Sequence, residues 1–600
     1  MKPVTISGMK GGAAVPLALL ITMYGALLRL DAFTGKYGTL EHPAWARVAT
    51  HPLAGVASHL RPTAVSWPRE PNPYVGGDPI NYLKYAREMR TFYQPHVREP
   101  MFLAATRAGL AALDQQDAGV SLASAAGSTL AIFGTFLLGA AVISPAGGLL
   151  AAAIFAVEYD VITWAVDGWR DDFFTATVLF AAWALIRFHR SPSFSNALLV
   201  GGIGGVSALT RITALSFLLP ALAWVAIAGR GSTRRDRAVY AGVAFIILAA
   251  LIAPFLISCA IATGDPFFSI NAHTVYYRSA EGLSIAQPMS AEQYIASKFA
   301  RLPVATVDVG MTGLFVQPFV TKWNGLDVWS PGLAVILKWS ALAGLAAMPF
   351  FANGRLVLLI LLTSLVPYAF TWNVGGGGEW RFTMHAYPFY IVAAILALRG
   401  ACIAVAAAIA KRPFPWRLAA QRGLVAALTL LVAAAVWSLA LPWLVIREVI
   451  QNRDSVSIET GGRDWAFYRG GWSEPHLEGQ VPVRVSHSER ASVFLPLPNK
   501  ESYTIVVRAD PVAPDVQKTL TVLFNSQVVG RFQMAWDPQR VGSYRAILPA
   551  AWVKPGINEL TLIPDAMAPA GTAGPRFAWM PPSERIGLRL WQIRIVPDSP

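Results

Sequence analysis

The sequence predicts a polytopic α-helical membrane protein of about eleven transmembrane helices, followed by a C-terminal antiparallel β-sandwich domain. Three observations predict it. Only 14% of the 600 residues are charged and 54% are hydrophobic, whereas a soluble domain carries about 25% charged residues. Apolar runs near the length needed to cross a bilayer, about 20 residues, recur from Ala13 to Ile446. From about Asn452 the pattern changes to short alternating runs punctuated by Pro, Gly and Asn, as antiparallel strands require.

The predicted spans fall near residues 13–30, 119–142, 147–165, 172–188, 196–211, 213–228, 239–262, 331–351, 355–372, 386–410 and 423–446. The first follows Lys2 and Lys10, and no small-x-small cleavage site comes after "LLRLDAF". It is therefore expected to stay as an anchor. The stretch 196–228 is divided into two spans. Basic short loops occur at Arg187–Ser195, Gly229–Arg237 and Lys411–Arg422. Counting eleven spans from a cytoplasmic N-terminus puts all three on the cytoplasmic side, as the positive-inside rule requires. The opposite side, expected to be the periplasm or exterior of a bacterial inner membrane, then receives Asp31–Asp117, Asp167–Asp171, Thr263–Ser330 and Asn373–His385. It also receives everything after Ile446. The predicted division is a transmembrane domain, 1–446, with external loops 31–117 and 263–330, and an external sandwich, 447–600.

The net charge of +14 is accounted for by cytoplasmic loops and anionic headgroups, so the bilayer and not nucleic acid is the expected partner. Cys259 and Cys402 lie in or beside apolar segments, where a thiol acts as a small hydrophobe. In the last domain "YTIVVRADP", "KTLTVLFNSQVVGRFQM" and "IGLRLWQIRIV" read as strands, with a hairpin turn at Asn525-Ser526. "GWSEPH" (Gly471–His476) and Trp536 are aromatic candidates for sugar stacking, although a Trp in a sandwich core is the commoner case.

Chemistry concentrates in three segments predicted on the external face. In the stretch Tyr74–Pro100, Asp78 follows Gly76-Gly77 and precedes Pro79, and His96, Arg98 and Glu99 close the segment. Tyr82, Tyr85 and Met89, with Ile80, Leu83 and Ala86, suggest an amphipathic helix on the membrane surface. A cap on that helix is the plainer role for Asp78. The second segment, "DGWRDDFF", brings Arg170, Asp171 and Asp172 to a span edge. Charges there are often mere anchors, but adjacent carboxylates repel unless a cation pairs with them. The third, "NVGGGGEWRFTMHAYP", brings Glu379, Arg381 and His385 behind four glycines that allow close approach of a ligand. Together they suit attack by a hydroxyl on a phosphate-activated group. One carboxylate takes the hydroxyl proton, while Arg and His stabilise charge on the departing phosphate.

At these residues the chain resembles the GT-C class of integral-membrane glycosyltransferases. It is most similar to the bacterial set related to protein O-mannosyltransferases and the undecaprenyl-phosphate aminoarabinose transferase. The likeness rests on Asp78 with "HVREP", "WRDDFF", "LTRITAL" (Leu209–Leu215), "TGDPFFSINAH" (Thr263–His273) and "EWRFTMHAYPF", and covers roughly residues 10–445. It implies that Asp78 is the catalytic base and that Asp171 and Asp172 support it or join Asp78 in a divalent-metal site, where one exists. It also implies that some of Arg98, Arg170, Arg211 and Arg381 hold the donor phosphate. The second acid that many relatives carry beside the base is absent from "GGDPINY". The implied reaction transfers a sugar, with inversion, from a polyprenyl-phosphate donor to a hydroxyl on a lipid, glycan or protein. The alternatives are a transporter or flippase of lipid-linked sugars, and a non-catalytic scaffold whose sandwich binds polysaccharide. A transporter would place charged or broken helices at mid-membrane.

Overall fold

The computed structural model describes residues 11–37, 56, 75–280, 285–351, 353–373, 380–410 and 416–436, short pieces between 440 and 448, and 456–598 with gaps at 461–466, 474, 479–480, 498, 514 and 535–540. Its contacts divide the chain into two compact units, Met1–Glu292 with Gly313–Thr429, and Gln293–Thr312 with Leu430–Pro600.

The first unit is helical. Among the described residues six helices are long and apolar enough to cross a membrane, or up to seven if the bent pair Pro145–Val157 and Tyr159–Ala165 is one span. Shorter apolar helices, Phe194–Thr210, Ile212–Ala228, Gly354–Ala369 and Gln421–Ala435, fall on four more of the predicted spans. Arg170–Arg190 covers the predicted span 172–188. One difference stands out. Pro303–Asp327, whose residues are divided between the two units at Thr312 and which is expected from the sequence to be part of an external loop, is also long and apolar enough to cross. Asp308, Gln317 and Lys322 interrupt its apolar run, which hides it from a composition scan.

Helix boundaries follow local chemistry. Ser144, Ser193, Thr233 and Ser330 cap helices by accepting from the backbone N–H groups of Gly147, Asn196, Asp236 and Leu333. Gly264 closes Arg234–Thr263 in the left-handed conformation, with φ 77°. The 60° bend between Pro145–Val157 and Tyr159–Ala165 occurs at Glu158, whose carboxylate accepts from Val161 N at 2.6 Å. The stretch 194–228 is broken at Arg211, which is extended (φ −155°, ψ 116°) and followed by a short turn, Ile212–Ala214.

Packing of the helices relies on small residues. A Cβ at Gly127 would lie 2.6 Å from Phe173 Cα and 2.8 Å from Phe173 N, so Ala118–Val142 sits directly against the first turn of Arg170–Arg190. Phe155, Phe174, Phe188, Phe217 and Tyr387 fill the core between them. Tyr82, Leu83, Ala86 and Met89 are buried in a smaller cluster with Phe102, Leu103 and Leu110. Ile80, expected on the same apolar face, is instead 53% exposed. The helix Asp78–Glu88 is thus packed against protein along one side.

In the second unit the helix Pro303–Met311 begins where the Glu448 carboxylate accepts from Val304 N and Ala305 N, each at 2.7 Å. The described strands form two large antiparallel sheets and a small two-stranded one, β11 (Ala568–Pro569) with β12 (Arg585–Ile586). One has the order β3 (His476–Glu478), β4 (Val481–Val485), β13 (Leu588–Pro597), β6 (Tyr503–Pro511) and β9 (Ser543–Leu548), with β1 (Val456–Glu459) also on β13. The other runs β2 (Tyr468–Gly470), β5 (Ala491–Leu497), β10 (Gly556–Pro564), β7 (Thr519–Phe524) and β8 (Gln527–Gln533). Val493, Leu495, Phe524 and Leu560 from the second sheet share one core with Ile505, Val507, Leu590 and Ile593 from the first, which is the packing of a sandwich. Asn525 (φ 47°) and Ser526 (φ 70°) form the expected two-residue hairpin turn between β7 and β8. Trp472 lies in the core with Nε1 donating to Ser492 O at 3.0 Å. Trp536 is outside the described residues.

Candidate active site

Three segments far apart in sequence bring their charges together in the helical unit. Gly77, at φ 69°, turns the chain into the helix Asp78–Glu88. The N-cap position is Gly77, and Asp78 stands in the first turn of the helix. Asp78 Oδ1 accepts from Arg98 at 3.2 Å and Oδ2 from Arg381 at 3.3 Å. Its side chain is 28% exposed, the most open carboxylate of the network.

Beneath it the pairs are buried. Asp171 Oδ1 accepts from Arg211 at 2.7 Å, and Oδ2 lies 3.6 Å from Arg381. Arg381 therefore bridges Asp78 and Asp171, with its guanidinium 3.6 Å from the centre of the Trp169 ring. Arg211 reaches this point because the chain is extended there. Its guanidinium also donates to Tyr368 Oη at 3.2 Å, and Thr213 Oγ1 lies 3.0 Å from the same hydroxyl. Glu99 pairs with Arg170 and accepts from Ile212 N at 2.9 Å. Glu99 and Arg170 are both buried, and this tie joins the start of helix Pro100–Ala112 to the break at Arg211.

The electrostatics follow from these contacts. Burial pushes Asp78 up, but Arg98, Arg381 and Arg170 outweigh it, and its carboxyl lies below the usual value. Burial likewise raises Glu99, and Arg170 with the Ile212 amide brings it below the ordinary range. His273, which touches Arg98 and has Nδ1 2.8 Å from Ser269 O, is driven down to about 4 by burial and by Arg98 and Arg170. It is neutral at pH 7. Four guanidiniums, of Arg98, Arg170, Arg211 and Arg381, thus face the carboxylates of Asp78, Glu99 and Asp171. The group carries a surplus positive charge, which suits an anionic ligand.

The remaining sequence candidates lie elsewhere. Asp172 is buried and accepts from Ser124 Oγ at 3.3 Å, on the side of Arg29 and Ser128. His385 is buried behind Arg211, 3.1 Å from Ser364 Oγ and edge-on to Phe174. His96 accepts from the Arg98 N–H at 3.1 Å and packs on the Tyr85 ring. Glu379 is outside the described residues. Asp78, Asp171 and Asp172 do not converge on one point, and among the described residues no group of three or more His, Cys, Asp or Glu is arranged to hold a metal ion. Sequence reasoning did not single out Trp169, His273 or Tyr368. His273 ends the quoted stretch "TGDPFFSINAH", whereas Tyr368, a lone aromatic in an apolar helix, gave no signal.

Residues 95–257 match the model of the dolichyl-phosphate-mannose-protein mannosyltransferase family. That segment contains Arg98, Glu99, Arg170, Asp171, Asp172 and Arg211. Among solved structures the chain is similar to the archaeal oligosaccharyltransferase AglB from Archaeoglobus fulgidus in complex with an inhibitory peptide and a dolichol-phosphate, with 15% identity and a TM-score of 0.40. The match covers 73% of this chain and 56% of that one, little more than half the length of the archaeal protein. It is also similar to ArnT from Cupriavidus metallidurans bound to undecaprenyl phosphate (14% identity, TM-score 0.37, 74% of this chain and 71% of that). A further likeness is to the arabinosyltransferase EmbB from Mycobacterium smegmatis (13% identity, TM-score 0.22, 93% and 69%). No curated protein matches the chain.

Proposed function

We propose that the protein transfers a sugar from a polyprenyl-phosphate-linked donor to an acceptor hydroxyl on a lipid, glycan or protein. The observation that carries this reading is Asp78, a partly open carboxylate held between Arg98 and Arg381 over a network with surplus positive charge. The donor phosphate competes for those guanidiniums. Arg98 and Arg381 turn toward it, with Arg170 and Arg211 behind them. Asp78 accepts the proton of the acceptor hydroxyl, the acceptor oxygen bonds to C1, and the C1–O bond to phosphate breaks with inversion. The electron pair leaves on the polyprenyl phosphate, where the guanidiniums stabilise it. Glu99 and Asp171 keep Arg170 and Arg211 oriented.

The membrane setting belongs to the same reading. The chain crosses a bacterial inner membrane about eleven times, its basic loops are cytoplasmic, and Asp78 opens on the periplasmic or external face. Residues 1–446 form the transferase domain and 447–600 an external sandwich. The clustering of Asp78, Asp171 and Arg381 supports a transferase over a flippase. The test is transfer of radiolabelled sugar from a panel of polyprenyl-phosphate sugars in membranes. Asp78→Asn keeps the size of the side chain but cannot take the proton, and is expected to lower turnover by about 10²–10⁴-fold with the chain still folded. Full activity in that variant would refute the role of Asp78, and no transfer by the natural chain with any donor would refute the activity.

A further inference from the structure

Lys322 is fully buried, 0% exposed, and takes no part in the transfer chemistry. An ammonium inside a protein is costly unless hydrogen bonds and opposite charge compensate it. Its Nζ donates to Trp380 O at 2.9 Å, to Thr383 Oγ1 at 2.8 Å and to Thr321 Oγ1 at 3.2 Å, and lies 4.8 Å from the centre of the Trp380 ring. Asp160 and Glu158, at the bend between Pro145–Val157 and Tyr159–Ala165, lie within its electrostatic reach.

Two of the three acceptors flank Arg381. Trp380 precedes it and Thr383 follows two positions later, in the short turn Trp380–Ala386, where Thr383 departs from helical geometry (φ −112°, ψ 16°). Such a turn has few hydrogen bonds of its own to hold it. Yet it carries the guanidinium of Arg381, which reaches both Asp78 and Asp171. We propose that Lys322 is a positioning residue, pinning the backbone of Trp380 and the hydroxyl of Thr383 so that Arg381 stays between Asp78 and Asp171 and meets a lipid phosphate there. An apolar residue at 322 would fill the space but leave the turn untied.

This rests on the reading of the ligand as a polyprenyl phosphate, and the test separates the two. Equilibrium binding of a polyprenyl monophosphate is measured on the purified full chain in detergent, natural sequence against Lys322→Met, Thr383→Val, Arg381→Ala and the doubles with Arg381→Ala. Lys322→Met and Thr383→Val are each expected to weaken binding on the order of ten- to a hundredfold, as small displacements of a binding group do. Neither is expected to weaken it further once Arg381 is Ala, because both act through Arg381. A residue that merely stabilises the fold would add its loss to that of Arg381→Ala. Thr383→Val keeps the lysine and nearly the shape of the side chain, so it decides the matter where Lys322→Met does not fold. Unaltered binding, or additive losses, overturns the positioning role while leaving the ligand intact. A natural chain that neither binds the monophosphate nor transfers sugar overturns the ligand and this inference with it.

Discussion

At the scale of the residue, Asp78 is both available and restrained. Its carboxylate is ionised at neutral pH because Arg98, Arg381 and Arg170 overcome the effect of burial. The folded value lies below the ordinary 3.8, so the stability from these pairs is present above that pH and is lost as pH falls through the lower folded value. The same shift sets a kinetic expectation. The acid limb of kcat/KM expected from Asp78 lies below that of an ordinary aspartate in the natural chain. Arg381→Gln removes one of the charges that lower it and is expected to move that limb upward, alongside weaker donor use. An acid limb unchanged in that variant would show that Asp78 is not the titrating base. The guanidiniums make Asp78 a weak base while they face it, and in the proposed mechanism a donor phosphate that draws them away would strengthen it at the moment the acceptor is deprotonated.

Among the elements, the site depends on helix ends meeting closely. Arg170, Asp171 and Asp172 open one helix, Glu99 precedes another and Arg211 marks a break. Each charge therefore sits where the backbone leaves regular structure. The approach of Ala118–Val142 to Phe173 is made possible by Gly127. Gly127→Ala places a methyl against backbone atoms that cannot swing aside, and is expected to cost about 1–3 kcal/mol. It is also expected to reduce transfer, since Phe173 follows Asp172 directly. Thermal unfolding of the full chain in detergent and a turnover assay check both. The three polar segments were legible in the sequence because charge beside long apolar runs is conspicuous. Their pairing was not, because Asp78 and Arg381 are 303 positions apart and nothing local selects one arginine over another. The helical pieces within Pro303–Asp327 were missed because buried Lys322 and Asp308 make an internal segment look like a loop.

For the whole molecule, every member of the charged network lies in the helical unit, between Asp78 and Arg381. A chain ending at Gln451 keeps them all, together with Glu448 at the start of Pro303–Met311. It is expected to bind a polyprenyl monophosphate within a few fold of the full chain. Loss of that binding would assign the sandwich a part in holding the donor. The sequence by itself determined the class of solvent each part of the chain occupies: long apolar runs demand lipid or a buried core, and alternating runs demand a sheet with an inner and an outer face. It also determined which residue types stand at the ends of the helices, since capping and breaking are local. Only the tertiary structure decided that Arg381 bridges Asp78 and Asp171, that Asp172 and His385 turn away, and that Lys322 ties the turn carrying Arg381. Those choices depend on distance and direction between segments hundreds of residues apart, and a pattern along one chain holds neither.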